Sequence, residues 1–224
     1  MATLEFFYDF VSPYSYLAST RVEAVAARAG AALRWRPFLL GGVLKATDNK
    51  APADTPAKYA YLKADVARWA RRLGVPLDFP RVHPFSTVLA MRCALAAERA
   101  GKLVPFTHAA FRAGWADQRD LTSPEALAAV AASVGLDGAA LVASAPDFKA
   151  ALAASTDEAV RRGSFGAPTF LVGDQLFIGN DRLDFVEEAL RGACSGGAGG
   201  GAWAAGSSAA QRVVHEVEPV GAEE

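Results

Sequence analysis

Sulfur is scarce in this chain of 224 residues, which holds two cysteines and two methionines. Cys93 and Cys194 lie far apart and in neither a metal-binding nor a redox spacing, which argues against a disulfide framework, a zinc site or a dithiol centre. Cys93 falls within an apolar helical pattern and reads as a buried structural thiol. His83 and His108, two of only three histidines, have no partners at metal-ligand spacing; solvent-facing or capping roles are expected, and no metal. Long apolar runs are missing as well. None approaches the roughly 18 residues needed to cross a bilayer, and Glu5 and Asp9 interrupt the first apolar stretch too early for a secretory leader. Charge of one sign is also lacking: the net charge is −1 with both signs interspersed, which leaves no footprint for nucleic acid or a membrane surface. What is present, 52% hydrophobic and 21% charged residues, is the composition of a soluble globular protein. A cytoplasmic location is expected. The length suits one domain with a large core, or a compact domain with an insertion.

The apolar and aromatic run Thr3 to Phe10 predicts a buried strand. Ser12 then suits a helix N-cap and Pro13 the first helical position, where a missing N–H costs nothing. The helix is expected to run through Leu17, Ala18, Val22 and Val25 and to end near Gly30. A second strand follows at Ala32 to Leu39, completing a βαβ unit. Gly41 to Pro56, rich in Gly, Asn, Asp and Pro, reads as a loop. Helices are then predicted at Ala57–Leu73, Pro84–Ala100, Val104–Trp115, Pro124–Val134, Gly138–Ser144 and Asp147–Arg162. Strands resume at Thr169–Val172 and Gln175–Ile178, joined by a Gly173-Asp174 hairpin turn, and Arg182–Arg191 closes as a helix. The pattern is that of an α/β domain (βαβ…ββα), residues 1–45 and 163–192, with a loop and an inserted all-helical domain at 46–162. The Gly- and Ala-rich stretch 193–224 cannot bury a core and is expected to be a disordered tail.

Three separated pieces bear on chemistry. Ser12-Pro13-Tyr14-Ser15 follows the first strand directly. By itself this is an ordinary helix start, yet it resembles the Cys-Pro-Tyr-Cys turn of glutaredoxin-like proteins with both sulfurs replaced by oxygen. A helix N-terminus stabilises an anion and lowers the pKa of a nearby thiol, so the expectation is a thiol supplied from outside as a bound cofactor. The serine hydroxyl would donate to that thiolate; no general base or Gly-x-Ser-x-Gly elbow equips it as a nucleophile. The second piece is Gly166-Ala167-Pro168-Thr169. A proline entering a central strand calls for a cis bond or an edge position, although a simple loop-to-strand turn gives the same residues. The third is Gly179-Asn180-Asp181-Arg182 at the start of the last helix, which reads as a cap or as a place for the amino-acid end of a γ-glutamyl peptide. Asn49, with Lys45 and Lys50 beside it, is a further candidate for the same ligand.

On these residues the chain resembles the 2-hydroxychromene-2-carboxylate isomerases, grouped with kappa-class glutathione transferases and DsbA-type oxidoreductases in the thioredoxin superfamily. The matching stretches are 7–17, 37–41, 163–170 and 177–183. The resemblance implies a thioredoxin-like fold and a glutathione-dependent cis–trans isomerase interconverting 2-hydroxychromene-2-carboxylate and trans-o-hydroxybenzylidenepyruvate in aromatic catabolism. It implies that Ser12 holds the glutathione sulfur, and that Asn49, Ala167, Pro168, Asn180 and Asp181 hold the rest. Reversible addition of the thiolate to the enone would turn the double bond into a single one and allow rotation. Lys45, Lys58 and Arg182 are candidates for the substrate carboxylate; Tyr61, Trp69, Phe85 and Trp115 are candidates for the ring wall, though more readily core residues. A homodimer is implied by kin. A kappa-like transferase would share the whole site. A non-catalytic thioredoxin-like binding module would keep the fold without the chemistry, and a dithiol oxidoreductase is disfavoured because Ser12 and Ser15 cannot form a disulfide.

Overall fold

The computed structural model describes residues 1–194; the expected disordered tail lies, beyond Cys194, outside the described residues. The chain opens with β1 (Thr3–Tyr8), α1 (Pro13–Ser19), α2 (Val22–Arg28) and β2 (Ala32–Pro37). It then passes through α3 (Leu40–Ala46), α4 (Pro56–Leu73), α5 (Val88–Arg99), α6 (Leu103–Trp115), α7 (Pro124–Ser133), α8 (Gly138–Ser144) and α9 (Lys149–Arg161). It returns as the hairpin β3 (Thr169–Val172) and β4 (Gln175–Ile178) and closes with α10 (Leu183–Cys194). The sheet order is β2-β1-β3-β4, with β1 parallel to β2 and antiparallel to β3. This is the thioredoxin-like α/β arrangement with a helical insertion between β2 and β3.

The near-continuous apolar run of β1 follows from its central position, buried on both faces. Leu4, Phe6 and Tyr8 face the main core, whereas Phe7 packs on the other side with Phe38, Val43 and Leu171. Phe6 stacks on Phe170 of β3 at 5.2 Å and meets Trp35 of β2 edge-on at 5.0 Å. The insertion shares this core: Met91, Cys93, Phe106, Phe111 and Trp115 join Phe6, Tyr8 and Phe10 in one cluster. Its polar atoms find partners across the two parts. Tyr8 and Thr107 hydroxyls lie 2.7 Å apart, and Trp115 Nε1 donates to the Phe10 carbonyl at 2.8 Å. Cys93 is fully buried, and that burial pushes its thiol up to about 11.

Two expectations are corrected by the local structure. The single helix expected from Pro13 to near Gly30 is two helices. Ser19 and Thr20 turn their hydroxyls back onto the Tyr16 and Leu17 carbonyls, competing with the backbone ladder where α1 stops. The stretch Gly41 to Pro56 is not all loop: α3 occupies its first part, and a short 3-10 turn spans Pro52–Asp54. Tertiary contacts overcome the two glycines there. Leu39 and Leu40 N–H groups donate to Thr156 Oγ1 and Asp9 Oδ2, and Val43 is fully buried. Among the described residues no helix is long and apolar enough to cross a membrane, and no cluster of His, Cys, Asp and Glu is arranged to hold a metal ion.

Candidate active site

Beyond Tyr8 the chain turns through Asp9, Phe10 and Val11 into α1. Ser12 is the N-cap of that helix, with extended backbone angles (φ −89°, ψ 114°). Its hydroxyl oxygen accepts from the Ser15 N–H at 3.1 Å and its proton goes to the Ala167 carbonyl at 3.0 Å. Ser12 is only 4% exposed. Pro13 takes the first helical position, as its fixed φ favours. Ser15 is fully buried and its hydroxyl has no partner among the described residues. The Tyr14 hydroxyl donates to Asp65 Oδ2 on α4 at 2.9 Å; burial and that carboxylate push it above the ordinary tyrosine value, so it stays a phenol.

The peptide bond between Ala167 and Pro168 is cis. The segment before it is fixed by its own hydroxyls: Ser164 and Thr169 side chains bond each other and the Gly166 carbonyl. Asn49 reaches the same segment, donating from Nδ2 to the Phe165 carbonyl at 2.9 Å. On the far side, the Pro168 carbonyl accepts the Gly179 N–H at 3.0 Å, which sets Asn180 and Asp181 beside the cis bond. Gly179 has φ +109°, a conformation closed to L side chains, and a Cβ there would stand 2.5 Å from Asp181 Oδ1. Asn180 is 2% exposed and its Nδ2 has no partner among the described residues. A buried amide left without an acceptor suits an incoming carbonyl or carboxylate oxygen. Asp181 is exposed and ion-paired with Arg182 at 3.0 Å.

The chain thus gathers Ser12, Ala167, Pro168 and Asn180, with Asp181 beside Asn180 and Asn49 joined through Phe165. Lys45, Lys58 and Tyr61 are exposed, and no hydrogen bond ties them to this group; Lys45 and Lys58 make no ion pair among the described residues. Of the ring-wall candidates, Trp115 is wholly buried and Phe85 half-buried beside it, both core residues, while Tyr61 is 64% exposed.

Asp9, Thr87 and His83 frame the turn. Asp9, 1% exposed, accepts from Val11 N–H (3.1 Å), Leu40 N–H (2.8 Å) and Thr87 Oγ1 (2.6 Å). Burial pushes its carboxyl above the usual carboxylate range, while the Thr87, Leu40 and Val11 bonds pull it back. A charge next to an otherwise apolar strand was the available signal, since a carboxylate is buried only where donors meet it. His83 neither faces solvent nor caps a helix. It is half-buried among aromatic rings with Nε2 3.0 Å from the Val11 carbonyl, and burial lowers its pKa. His108 instead pairs with Glu23 at 2.9 Å and meets Trp35 edge-on.

A profile of the DSBA-like thioredoxin domain matches residues 3–191. The chain is 35% identical over 193 residues to a 2-hydroxychromene-2-carboxylate isomerase of Sphingobium xenophagum, covering 84% of this chain and 97% of that one. The chain belongs to the DsbA-like thioredoxin family, among its 2-hydroxychromene-2-carboxylate isomerases. The chain is also similar to a kappa-class transferase: human glutathione S-transferase kappa 1 is 27% identical, covering 84% of this chain and 90% of its own. A solved structure of a 2-hydroxychromene-2-carboxylate isomerase superposes with a TM-score of 0.78 at 28% identity, covering 86% of this chain and 96% of that one. Membership makes the chain an enzyme with isomerase kin.

Proposed function

We propose that this enzyme is a glutathione-dependent cis–trans isomerase that interconverts 2-hydroxychromene-2-carboxylate and trans-o-hydroxybenzylidenepyruvate, or a closely related aromatic enone, in aromatic catabolism. The observation that carries the reading is the Ser12 hydroxyl, held at the cap of α1 against the Ala167 carbonyl where no protein sulfur is present. Bound there, glutathione supplies the nucleophilic thiolate that the chain itself lacks. The chain's residues bind and orient it. Ser12 turns its proton from the Ala167 carbonyl toward the sulfur, a rotation about one side-chain bond. Asn180 offers its unpartnered buried amide to the peptide. Asp181 presents a carboxylate for an ammonium, held by Arg182 in the free protein, and Asn49 steadies the segment before Pro168. Lys45 and Lys58, which make no ion pair among the described residues, are cations for the substrate carboxylate, and Tyr61 is an exposed ring for its aromatic part. A cytoplasmic homodimer without nucleic-acid or membrane contacts completes the proposal; the net charge of −1 supports only the last part, the lack of an electrostatic footprint for nucleic acid or a membrane surface.

The test is an absorbance assay of trans-o-hydroxybenzylidenepyruvate equilibration by the purified protein, with and without glutathione. Acceleration that requires glutathione is expected. If glutathione binds and no acceleration follows, this substrate is ruled out and the reading moves to another enone or to a transferase. The kinship with human glutathione S-transferase kappa 1 then favours conjugation, read as loss of free thiol with an electrophilic acceptor.

A further inference from the structure

Val11, the residue before Ser12, has both of its backbone polar atoms held by side chains. Its N–H donates to Asp9 Oδ1 at 3.1 Å, and its carbonyl lies 3.0 Å from His83 Nε2. A carbonyl has no proton to give, so Nε2 carries the hydrogen and donates. The other ring nitrogen, Nδ1, is 3.1 Å from the Tyr59 hydroxyl, which also lies 3.0 Å from the carbonyl of His83 itself. The ring cannot tilt freely. It stacks on Tyr59 at 5.7 Å with planes 6° apart, and Phe79 and Trp115 meet it edge-on. The segment that carries it is tied down again at Thr87, which donates to Asp9. The connection between α4 and α5 therefore grips the turn before Ser12 at both backbone polar groups of one residue, directly at the Val11 carbonyl and through Asp9 at the Val11 N–H.

We infer that His83 is a positioning residue for the cofactor thiolate: its Nε2–H fixes the Val11 carbonyl and thereby the backbone frame from which Ser12 meets the sulfur. The inference rests on the glutathione reading above. A small displacement of a group that orients a reacting atom is costly, and Val11 is bonded directly to Ser12. A ring that only filled space within the aromatic cage would have no reason to aim a donor at that carbonyl.

Two variants separate the donor from the packing. His83→Phe keeps a ring in the cage and loses the donor. His83→Gln loses the ring and keeps an amide N–H at similar reach. Each is compared with wild type for the ultraviolet thiolate band of bound glutathione, for turnover, and for affinity toward S-methylglutathione, which has no thiolate. His83→Phe is expected to lower thiolate formation and turnover roughly tenfold or more while S-methylglutathione binds as before; His83→Gln is expected to keep most of both. A His83→Phe protein that matches wild type while His83→Gln fails would overturn the inference and leave the ring a packing group. Equal weakening toward both ligands would also overturn it, as a general structural role. A wild type that binds glutathione with no thiolate band overturns the glutathione reading itself, and this inference with it.

Discussion

At the residue scale, one Ser12 hydroxyl holds two parts of the structure together, and the proposed chemistry draws on the same group. The oxygen caps α1 by accepting from Ser15, and the proton ties α1 to the segment before Pro168. Ser12→Ala removes both roles. Loss of a hydrogen bond to an anion costs about 1.5–3 kcal/mol of catalysis, and loss of a serine cap costs roughly 0.5–2 kcal/mol of stability. Glycine is nearly as good a cap as serine, differing by only a few tenths of a kcal/mol. Ser12→Gly is therefore expected to match Ser12→Ala in lost turnover while melting closer to wild type. Steady-state kinetics beside thermal denaturation of the two variants checks this; equal turnover in wild type and both variants would remove Ser12 from the mechanism. The serine was legible in the sequence because cap, proline and strand end are contiguous. Asp9 and His83 were not, since Thr87 lies 78 positions from Asp9 and His83 lies 72 from Val11. Only the folded chain brings those donors and acceptors together.

At the scale of elements, strands and capped helices were readable and helix interruptions were not. β3, β4 and α8 have the expected bounds: the Gly173-Asp174 turn acts within a few residues, and in the structure the Asp137 side chain caps α8 just as locally. α3 formed where glycines and polar residues argued for a loop, because its N-terminal amides are received by Asp9 and Thr156 from distant elements. Close helix contacts were likewise hidden. Gly138, the first residue of α8, has an ordinary backbone, yet a Cβ there would stand 2.1 Å from the Ala128 carbonyl oxygen of α7. That neighbour is backbone and yields only if α7 moves. Gly138→Ala, favourable on helix propensity alone, is therefore expected to destabilise the protein by about 3 kcal/mol, read as a lower midpoint in urea. A loss below about 1 kcal/mol would show that α7 and α8 separate without penalty.

For the molecule as a whole, the groups that lock the site to the core also set how stability responds to pH. Glu5 on β1, Arg36 on β2, and Glu158 and Arg162 on and just after α9 form a linked set of ion pairs across the sheet, but nearer neutrality the group that matters is His83. Burial lowers its pKa in the folded chain, with Lys63 acting in the same sense and the bond to Val11 opposing, whereas the unfolded chain takes up that proton near about 6.5. Between the folded value and about 6.5 the unfolded state binds more protons, so the contribution of His83 is complete above that window and is lost as pH falls through it. Asp9 acts with the opposite sign. Its raised folded pKa gives a contribution that is complete below the unfolded value of about 3.9 and is lost as pH rises through the folded one. Wild type alone mixes the two; the difference between wild type and His83→Gln isolates the histidine, because Asp9 is common to both. Melting temperatures measured from about pH 7.5 down to about pH 5 are expected to fall more steeply for wild type, so that the two curves converge toward acid. Parallel curves would mean that the ring accepts its proton as readily inside its aromatic cage as in water. Burial would then leave the titration of the group that grips the turn before Ser12 unchanged.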